Sequence, residues 1–470
     1  MLLQQRHPGA EKPPAPQREV RLGMVLVATA MAMFATNLDF FALNLSIPGM
    51  ARELDVSTTD MQWAISGFML ALGSFLIPGG RLGDILGRRR MLIAGTAIFG
   101  LTSLAGGLAP SAGFLIGARI LQGVGAAILF PLSIAVVTNT FPEERRKRAI
   151  GNLYGLAATA TAVGPFVGGG LTQLLSWRWV LLINVPVAAI AIALMIRSVP
   201  ESRDETVPRQ IDFPGLAAVA LGIATITFAV DRGDAWGWES GRTLGLFAFG
   251  AALLIAFVAT ERRVSFPLVD LALFRNLRFV AITLLGMTAN IAFVVTTFAA
   301  TLYLQDVRGY SPLAGGSIFL AASLMQAIAG PLSGRLAERF NISRTMLVAI
   351  CVGAIGLLVI AAGPATAVIG AALTVFGIGY GICWAMLSVG TQTAVPPDRA
   401  GEASGVSLSI VIGMAGLAVA VVASLIEVVA GGGTGEGEAI ERILRVVAIS
   451  SVVLALPLAW LGGRVEARSG

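Results

Sequence analysis

The stretch GGRLGDILGRRRM, residues 79–91, places five charged side chains among thirteen residues: Arg81, Asp84, Arg88, Arg89 and Arg90. The apolar run MQWAISGFMLALGSFLIP (61–78) precedes it, and MLIAGTAIFGLTSLAGGLAP (91–110) follows. Each run is about 20 residues long, which as helix is enough to cross a hydrocarbon core of about 30 Å. A short basic knot between two such runs reads as the connection between two membrane spans.

The rest of the chain continues this pattern. Of 470 residues, 56% are hydrophobic and only 13% charged, with a mean hydropathy of +0.82. A typical soluble domain carries about 25% charged residues. The composition therefore indicates an all-α polytopic membrane protein. In that setting the net charge of +6 reflects basic cytoplasmic loops rather than a nucleic-acid partner. Cys351 and Cys383 both fall in apolar runs and read as buried structural thiols. The single histidine, His7, lies in a polar, Pro-rich N-terminal tail, so no histidine relay or histidine metal cluster is available within the spans. No metal site or cofactor is expected. The sequence has no GxxxxGK[ST] phosphate loop and no soluble domain to hold one, which disfavours an ATP-driven pump. With no nucleophile–base set visible, an enzyme is the least favoured reading.

Punctuation by charge, Pro and Gly divides the chain into fourteen apolar runs. The first eight are 23–48, 60–79, 91–109, 112–137, 149–173, 179–197, 212–230 and 243–260. The other six are 279–304, 312–334, 345–362, 365–390, 403–430 and 443–463. An even number puts both termini on one side. If that side is cytoplasmic, the opposite side holds seven basic residues: Arg52, Arg178, Arg232, Arg242, Arg308, Arg442 and Arg445. Arg119 lies inside a span, and the remaining 25 of the 33 are cytoplasmic. This is the bias that orients membrane proteins. It also places Trp177, Trp179, Trp236 and Trp238 at the outer ends of spans. Residues 1–22 are expected to be a disordered cytoplasmic tail.

The opening stretch recurs in part. GRLGDILGRRRML at 80–92 is echoed by GRLAERFNISRTML at 334–347, with one inserted residue. RAIGNLYG at 148–155 has a weaker echo in RAGEASGV at 399–406. Both pairs fall at equivalent places if the seventh and eighth spans are set aside. The expected organisation is six spans over 23–197, two additional spans over 212–260, and six spans over 279–463. Repeated six-span halves are an organisation of transporters that handle substrate near the midplane.

Several stretches resemble the major facilitator superfamily. GGRLGDILGRRRM looks like its signature loop, and LIGARILQGVGAA (115–127) resembles the fourth-span motif of its drug-efflux members. GLAATATAVGPFVGGG (155–170) resembles their fifth-span antiporter motif. LDFFALNLSIP (38–48), WRWVLLINVP (177–186) and TLYLQDVRGYSPLAGG (301–316) resemble the fourteen-span drug:proton antiporters of the EmrB/QacA type. The likeness covers nearly the whole chain. The first-span motif departs from the usual pattern: Phe40, Phe41 and Ala42 stand where small and β-branched residues are usual after the aspartate.

The resemblance implies roles, and the residues supply physical reasons for them. Gly80, Gly83 and Gly87 allow a tight turn and close helix approach, and an acid at a helix N-terminus is favoured by the macrodipole. The resemblance implies that Asp84 docks on the opposite half when the cytoplasmic side closes, so Arg81, Asp84 and Arg88 are expected to form a gate. In the fifth span, Gly151 and Gly155 are four apart, as are Gly164 and Gly168, a spacing that favours close helix packing. Pro165 bends that helix. Topology alone would explain the arginines, and ordinary packing the glycines.

Asp39 and Arg119 lie well inside the first and fourth spans, where charges usually face a cavity or each other. Both are roughly 10–14 Å from the outer surface at 1.5 Å per residue, and so can pair. They are the candidates for proton coupling, with Glu427 near the outer end of the thirteenth span; a purely structural salt bridge is the bland alternative. Phe40, Phe41, Gln122, Gln305, Gln326 and Trp384 are the candidates to line a substrate cavity. The expected function is a cell-membrane exporter, working as a monomer, that exchanges a small hydrophobic or cationic organic compound, such as an antibiotic, for protons. The alternatives are a proton-coupled importer or lipid flippase of the same fold, and a non-transporting sensor or scaffold.

Overall fold

The computed structural model describes residues 22–203, 212–264, 267, 269, 271–363, 365–396, 399–431 and 435–469. The expected disordered tail lies outside the described residues except for Leu22, which opens the first helix.

Long helices make up the fold. In chain order the first half contains Leu22–Asn44, Trp63–Leu86, Arg88–Gly107, Ala112–Thr140, Glu143–Leu174 and Arg178–Ser198. Phe213–Trp236 and Gly241–Glu261 follow. The second half contains Leu277–Leu302, Pro312–Arg339, Ile342–Ile360, Thr366–Thr393, Ala400–Gly431 and Glu436–Ser469. We number them as spans one to fourteen. Among the described residues, twelve are long and apolar enough to cross a bilayer by length and composition alone. The other two are spans five and ten, of 32 and 28 residues. Span ten is apolar over Pro312–Gln326, and length and position put both in the same bundle.

Two extensive contacts join the halves: span two packs on span thirteen, and span five on span ten. Counted within each half, these are second against fifth and fifth against second, as a two-fold relation between the repeats requires. Span seven packs against spans thirteen and two, beside that seam, while span eight meets mainly span seven. The additional pair therefore flanks the halves rather than separating them.

The opening stretch is more helical than its composition indicates. Span two runs through Gly80 and Gly83 to Leu86, and span three starts at Arg88. Only Gly87 makes the turn, with a φ of +117° that side-chain-bearing residues rarely adopt. Gly83 serves close approach instead, since a Cβ there would run into Leu132 of span four. Asp84 consequently occupies the last turn of a helix rather than the first. The macrodipole disfavours an acid there, and Arg88 offsets it from across the turn, Nη2 to Oδ1 at 2.7 Å.

The two glycine pairs of span five behave differently. Gly164 lies against Phe41, and Gly168 against the backbone of Ala42, locking span five to span one. Gly169 meets the Pro312 carbonyl and Gly316 meets that of Pro165, locking span five to span ten. Among the described residues, nothing lies within reach of a Cβ on Gly151 or Gly155.

These contacts set a stability contrast. At Gly123 of span four an added Cβ would strike the Phe68 carbonyl of span two. Gly123→Ala is expected to cost about 1–3 kcal/mol through overpacking. Gly151→Ala is expected to be neutral or stabilising by up to about 1 kcal/mol, from helix propensity. Thermal unfolding of the two variants in detergent checks this, and equal melting temperatures would contradict the packing.

Candidate functional site

Four spans of the first half converge on one buried polar cluster. Span one brings Asp39, span three Ser103, span four Arg119 with Gln122, and span six Asn184; all five are buried. Arg119 and Gln122 are three apart, so they share a helix face. Asn184 owes its place to a break in span six, which pauses at Ile183 between Arg178–Leu182 and Asn184–Ser198. Pro186 explains that break, because it lacks an N–H and its ring crowds the Leu182 carbonyl.

Asp39 is surrounded by donors. Arg119 Nη1 donates to Asp39 Oδ2 at 2.5 Å. Asn184 Nδ2 donates to Oδ1 at 2.7 Å, and Gln122 Nε2 to the same oxygen at 3.2 Å. Arg119 is held in turn: Nη1 also donates to Gln122 Oε1 at 2.6 Å, and Nε to the Ala64 carbonyl at 3.0 Å. Its guanidinium lies 4.3 Å from the Phe68 ring centroid. Ser103 Oγ accepts from Gln122 and Asn184, at 3.1 and 3.0 Å, and donates to Leu181 O at 2.8 Å. Burying two charges costs several kcal/mol per ion unless geometry and further hydrogen bonds compensate. Here both kinds of compensation are present.

An aromatic series leads from this cluster to the other half. Phe68 stacks on Phe40 (6.4 Å between centroids), and Phe40 meets Phe41 edge-on (5.0 Å). Phe41 contacts Phe293 of span nine at 5.9 Å, Phe293 stacks on Phe376 at 5.7 Å, and Phe376 leans on Tyr380 at 4.7 Å. Phe293 and Tyr380 then line a cavity of about 10 Å³ with Asn290, Gln326 and Trp384. A pocket of about 110 Å³ lies elsewhere, lined among others by Thr58, Phe298, Ile426, Glu427 and Glu436. Neither holds a drug-sized molecule, for which clefts run to about 300–1,000 Å³.

The structure thus distributes the sequence candidates. Asp39, Arg119 and Gln122 come together, Gln122 as a member of the charge network and not as cavity lining. Gln305 Nε2 donates to Leu45 O at 2.8 Å, across the halves. Arg52 pairs with Asp306 at 3.3 Å beside it. With the Gly169 and Gly316 contacts, these seal the end of the bundle opposite the 79–91 stretch. Glu427 is exposed in the larger pocket, away from Asp39. Asp84 pairs with Arg88 of its own connection, and Arg81 Nη1 donates to the Pro267 carbonyl at 3.4 Å.

Sequence reasoning missed Ser103 and Asn184, neutral residues that look ordinary in an apolar run. It also missed Glu201, which accepts from the Arg89 backbone N–H at 3.1 Å and pairs with Arg90 at 3.6 Å. Arg88 N donates to Ser202 O at 2.9 Å. The basic stretch is therefore clamped by the connection after span six. An acid followed by Ser just past an apolar run was the only available signal.

Arg119→Met is expected to lose about 3–5 kcal/mol, because it strands a buried carboxylate. Asp39→Leu/Arg119→Met is expected to recover most of that loss. Thermal melts of the single and double variants measure the coupling; a double variant as unstable as the sum of its singles would show that the ions are not a unit.

Residues 29–420 match the Major Facilitator Superfamily. The chain is 33% identical over 386 residues to "Multidrug resistance protein Stp" of Mycobacterium tuberculosis, covering 82% of this chain and 72% of that protein. It is 31% identical over 402 residues to the "Tetracenomycin C resistance and export protein" of Streptomyces glaucescens, covering 85% and 74%. Among solved structures, a POT family transporter in complex with 5-aminolevulinic acid superposes with a TM-score of 0.70, over 94% of this chain and 96% of that one, at 13% identity. This last likeness speaks to the fold alone. The chain is a multi-pass membrane protein and belongs to the major facilitator superfamily of transporters.

Proposed function

We propose that this protein is a secondary active exporter, which moves a small hydrophobic or cationic organic compound out of the cell as protons move in. The observation that carries the reading is the Asp39–Arg119 pair, a titratable carboxylate enclosed in one wall of a two-half bundle. A charge kept at that depth is functional by default. The named resistance and export relatives favour an exporter over an importer or a flippase. The aromatic series at the seam suits a greasy or planar substrate.

The distribution of Lys and Arg supports a plasma-membrane orientation with both termini cytoplasmic. The sealed end is then the outer one, and the 79–91 stretch is cytoplasmic. The substrate loads, in our reading, as the halves part on one side at a time. In our reading a proton reaches Asp39 from the outer side, weakens its hold on Arg119, and lets the site turn inward. Substrate binding then favours release of that proton to the cytoplasm. Arg81, Asp84 and Arg88 balance the two access states at the cytoplasmic end, and Gly155, Gly164, Pro165 and Gly168 shape the helix along which the halves part. Glu427 is the second candidate acid. Residues 23–197 and 279–463 act as the two moving halves, with 212–260 as an accessory pair, and one copy holds the whole network, so a monomer suffices.

Asp39→Asn tests the reading. The amide mimics the neutral acid, so the variant is expected to insert and fold while export driven by an imposed proton gradient falls to background in proteoliposomes. Export that persists would remove Asp39 from coupling and leave Glu427 as the acid to examine. Orientation is tested by a cysteine at the exposed Arg145: an impermeant thiol reagent applied to intact cells should leave it unlabelled. Labelling from outside would reverse the assignment of sides.

A further inference from the structure

The Asn184 carboxamide is buried and engaged on one side only. Its Nδ2 donates to Asp39 Oδ1 at 2.7 Å and to Ser103 Oγ at 3.0 Å. Its Oδ1 accepts no hydrogen bond from any described residue. Orphaned buried amide oxygens are uncommon and call for an explanation.

We propose that this carboxamide is a two-position hydrogen-bond switch that serves Asp39 in both its ionised and its neutral form. The proposal rests on the reading of Asp39 as proton carrier, and it makes Asn184 a positioning residue.

As an anion, Asp39 needs donors, and Arg119, Gln122 and Asn184 supply them. With a proton on Oδ1, the same carboxyl needs an acceptor and finds N–H groups facing it. Arg119 has no acceptor to offer. Gln122 has one, but its Oε1 is engaged by Arg119 at 2.6 Å, so turning that amide breaks the contact. Asn184 has a free one. A half-turn about its last torsion, which is soft and roughly two-fold in a terminal amide, exchanges Nδ2 and Oδ1. Oδ1 then accepts from the Asp39 hydroxyl. Ser103 suits either position, because a hydroxyl both donates and accepts: it can turn from the Leu181 carbonyl to Oδ1.

In each position one amide atom of Asn184 lacks a partner, so neither is favoured strongly on that account. The bias comes from the proton on Asp39. Spans four, five and six pack against span one, with lesser contacts from spans two and nine. Of the described groups that face Asp39 from these spans and from span three, Arg119 is the one charge; Gln122, Asn184 and Ser103 are neutral. The switch makes and breaks only hydrogen bonds, and the proton comes from and returns to water on the side that is open.

The test is infrared difference spectroscopy between acidic and alkaline pH on the full chain in lipid. The carboxylic C=O band of protonated Asp39 is identified by its loss in Asp39→Asn. In Asn184→Leu, which keeps the volume and removes both functions, that band should move to the higher frequency of a carboxyl whose O–H lacks an acceptor. Gradient-driven export should fall about tenfold or more, the equivalent of one hydrogen bond. An unmoved Asp39 band overturns the switch and leaves Asp39 as carrier. Absence of any Asp39 band across the pH range overturns the carrier reading and the switch together. If Asn184→Leu does not fold, the protein with its native sequence and isotope-labelled asparagine provides the same decision. A side-chain amide C=O must shift in step with the Asp39 band, and a pH-independent asparagine spectrum refutes the switch.

Discussion

A carboxylate and a guanidinium enclosed together away from water constrain the whole first half of this protein. Neither ion tolerates burial alone, and separating them inside the bundle costs several kcal/mol. Spans one, three, four and six must therefore keep their relative positions to keep Asp39, Ser103, Arg119, Gln122 and Asn184 in register. That rigidity directs motion elsewhere. The parts free to move are the halves against each other, along spans two and thirteen and spans five and ten. Helices meet through glycines there: Gly73 lies against the backbone of Gly413, and Gly169 against that of Pro312. Side chains also meet across these seams, Met69 and Leu70 against Gly416 and Leu313 against Gly170.

The charge cluster and the seam are joined physically. Arg119 lies on Phe68, and the rings of Phe40, Phe41, Phe293 and Phe376 continue across to Tyr380. A change in how Arg119 is held can shift Phe68, and through it the packing between halves. Coupling needs an element with two arrangements that both sites bias. The seam offers one, closed at one end by Gln305, Arg52 and Asp306. At the other end, the 79–91 stretch is tied to its own half through Glu201 and Ser202, and to the 263–276 connection through Arg81.

Much of this was legible in the sequence. Fourteen apolar runs, the recurrence of Gly-Arg-Leu and the even count of spans follow from hydropathy and charge, because a bilayer imposes length and composition on whatever crosses it. Asp39 and Arg119 stood out because charge inside a span is rare. What stayed hidden follows one rule: neutral polar residues and glycines acquire meaning only from what packs on them. Asn184 and Ser103 carry no charge to betray them. Gly151 with Gly155 and Gly164 with Gly168 have the same spacing, yet among the described residues only the second pair meets another helix. Asp84 was misread for a related reason. Gly80, Gly83 and Gly87 look alike in sequence, and only the structure tells that Gly87 alone makes the turn, leaving Asp84 at a helix C-terminus.

The central claim is that a proton on Asp39 and a substrate in the seam exclude one another. Proton release on substrate addition, followed with a pH indicator in weakly buffered, detergent-purified protein, tests it most directly. The account predicts saturable release with the unmodified chain and none with Asp39→Asn, in protein that still binds the compound. Equal release from both would contradict it and place the exchanged proton elsewhere.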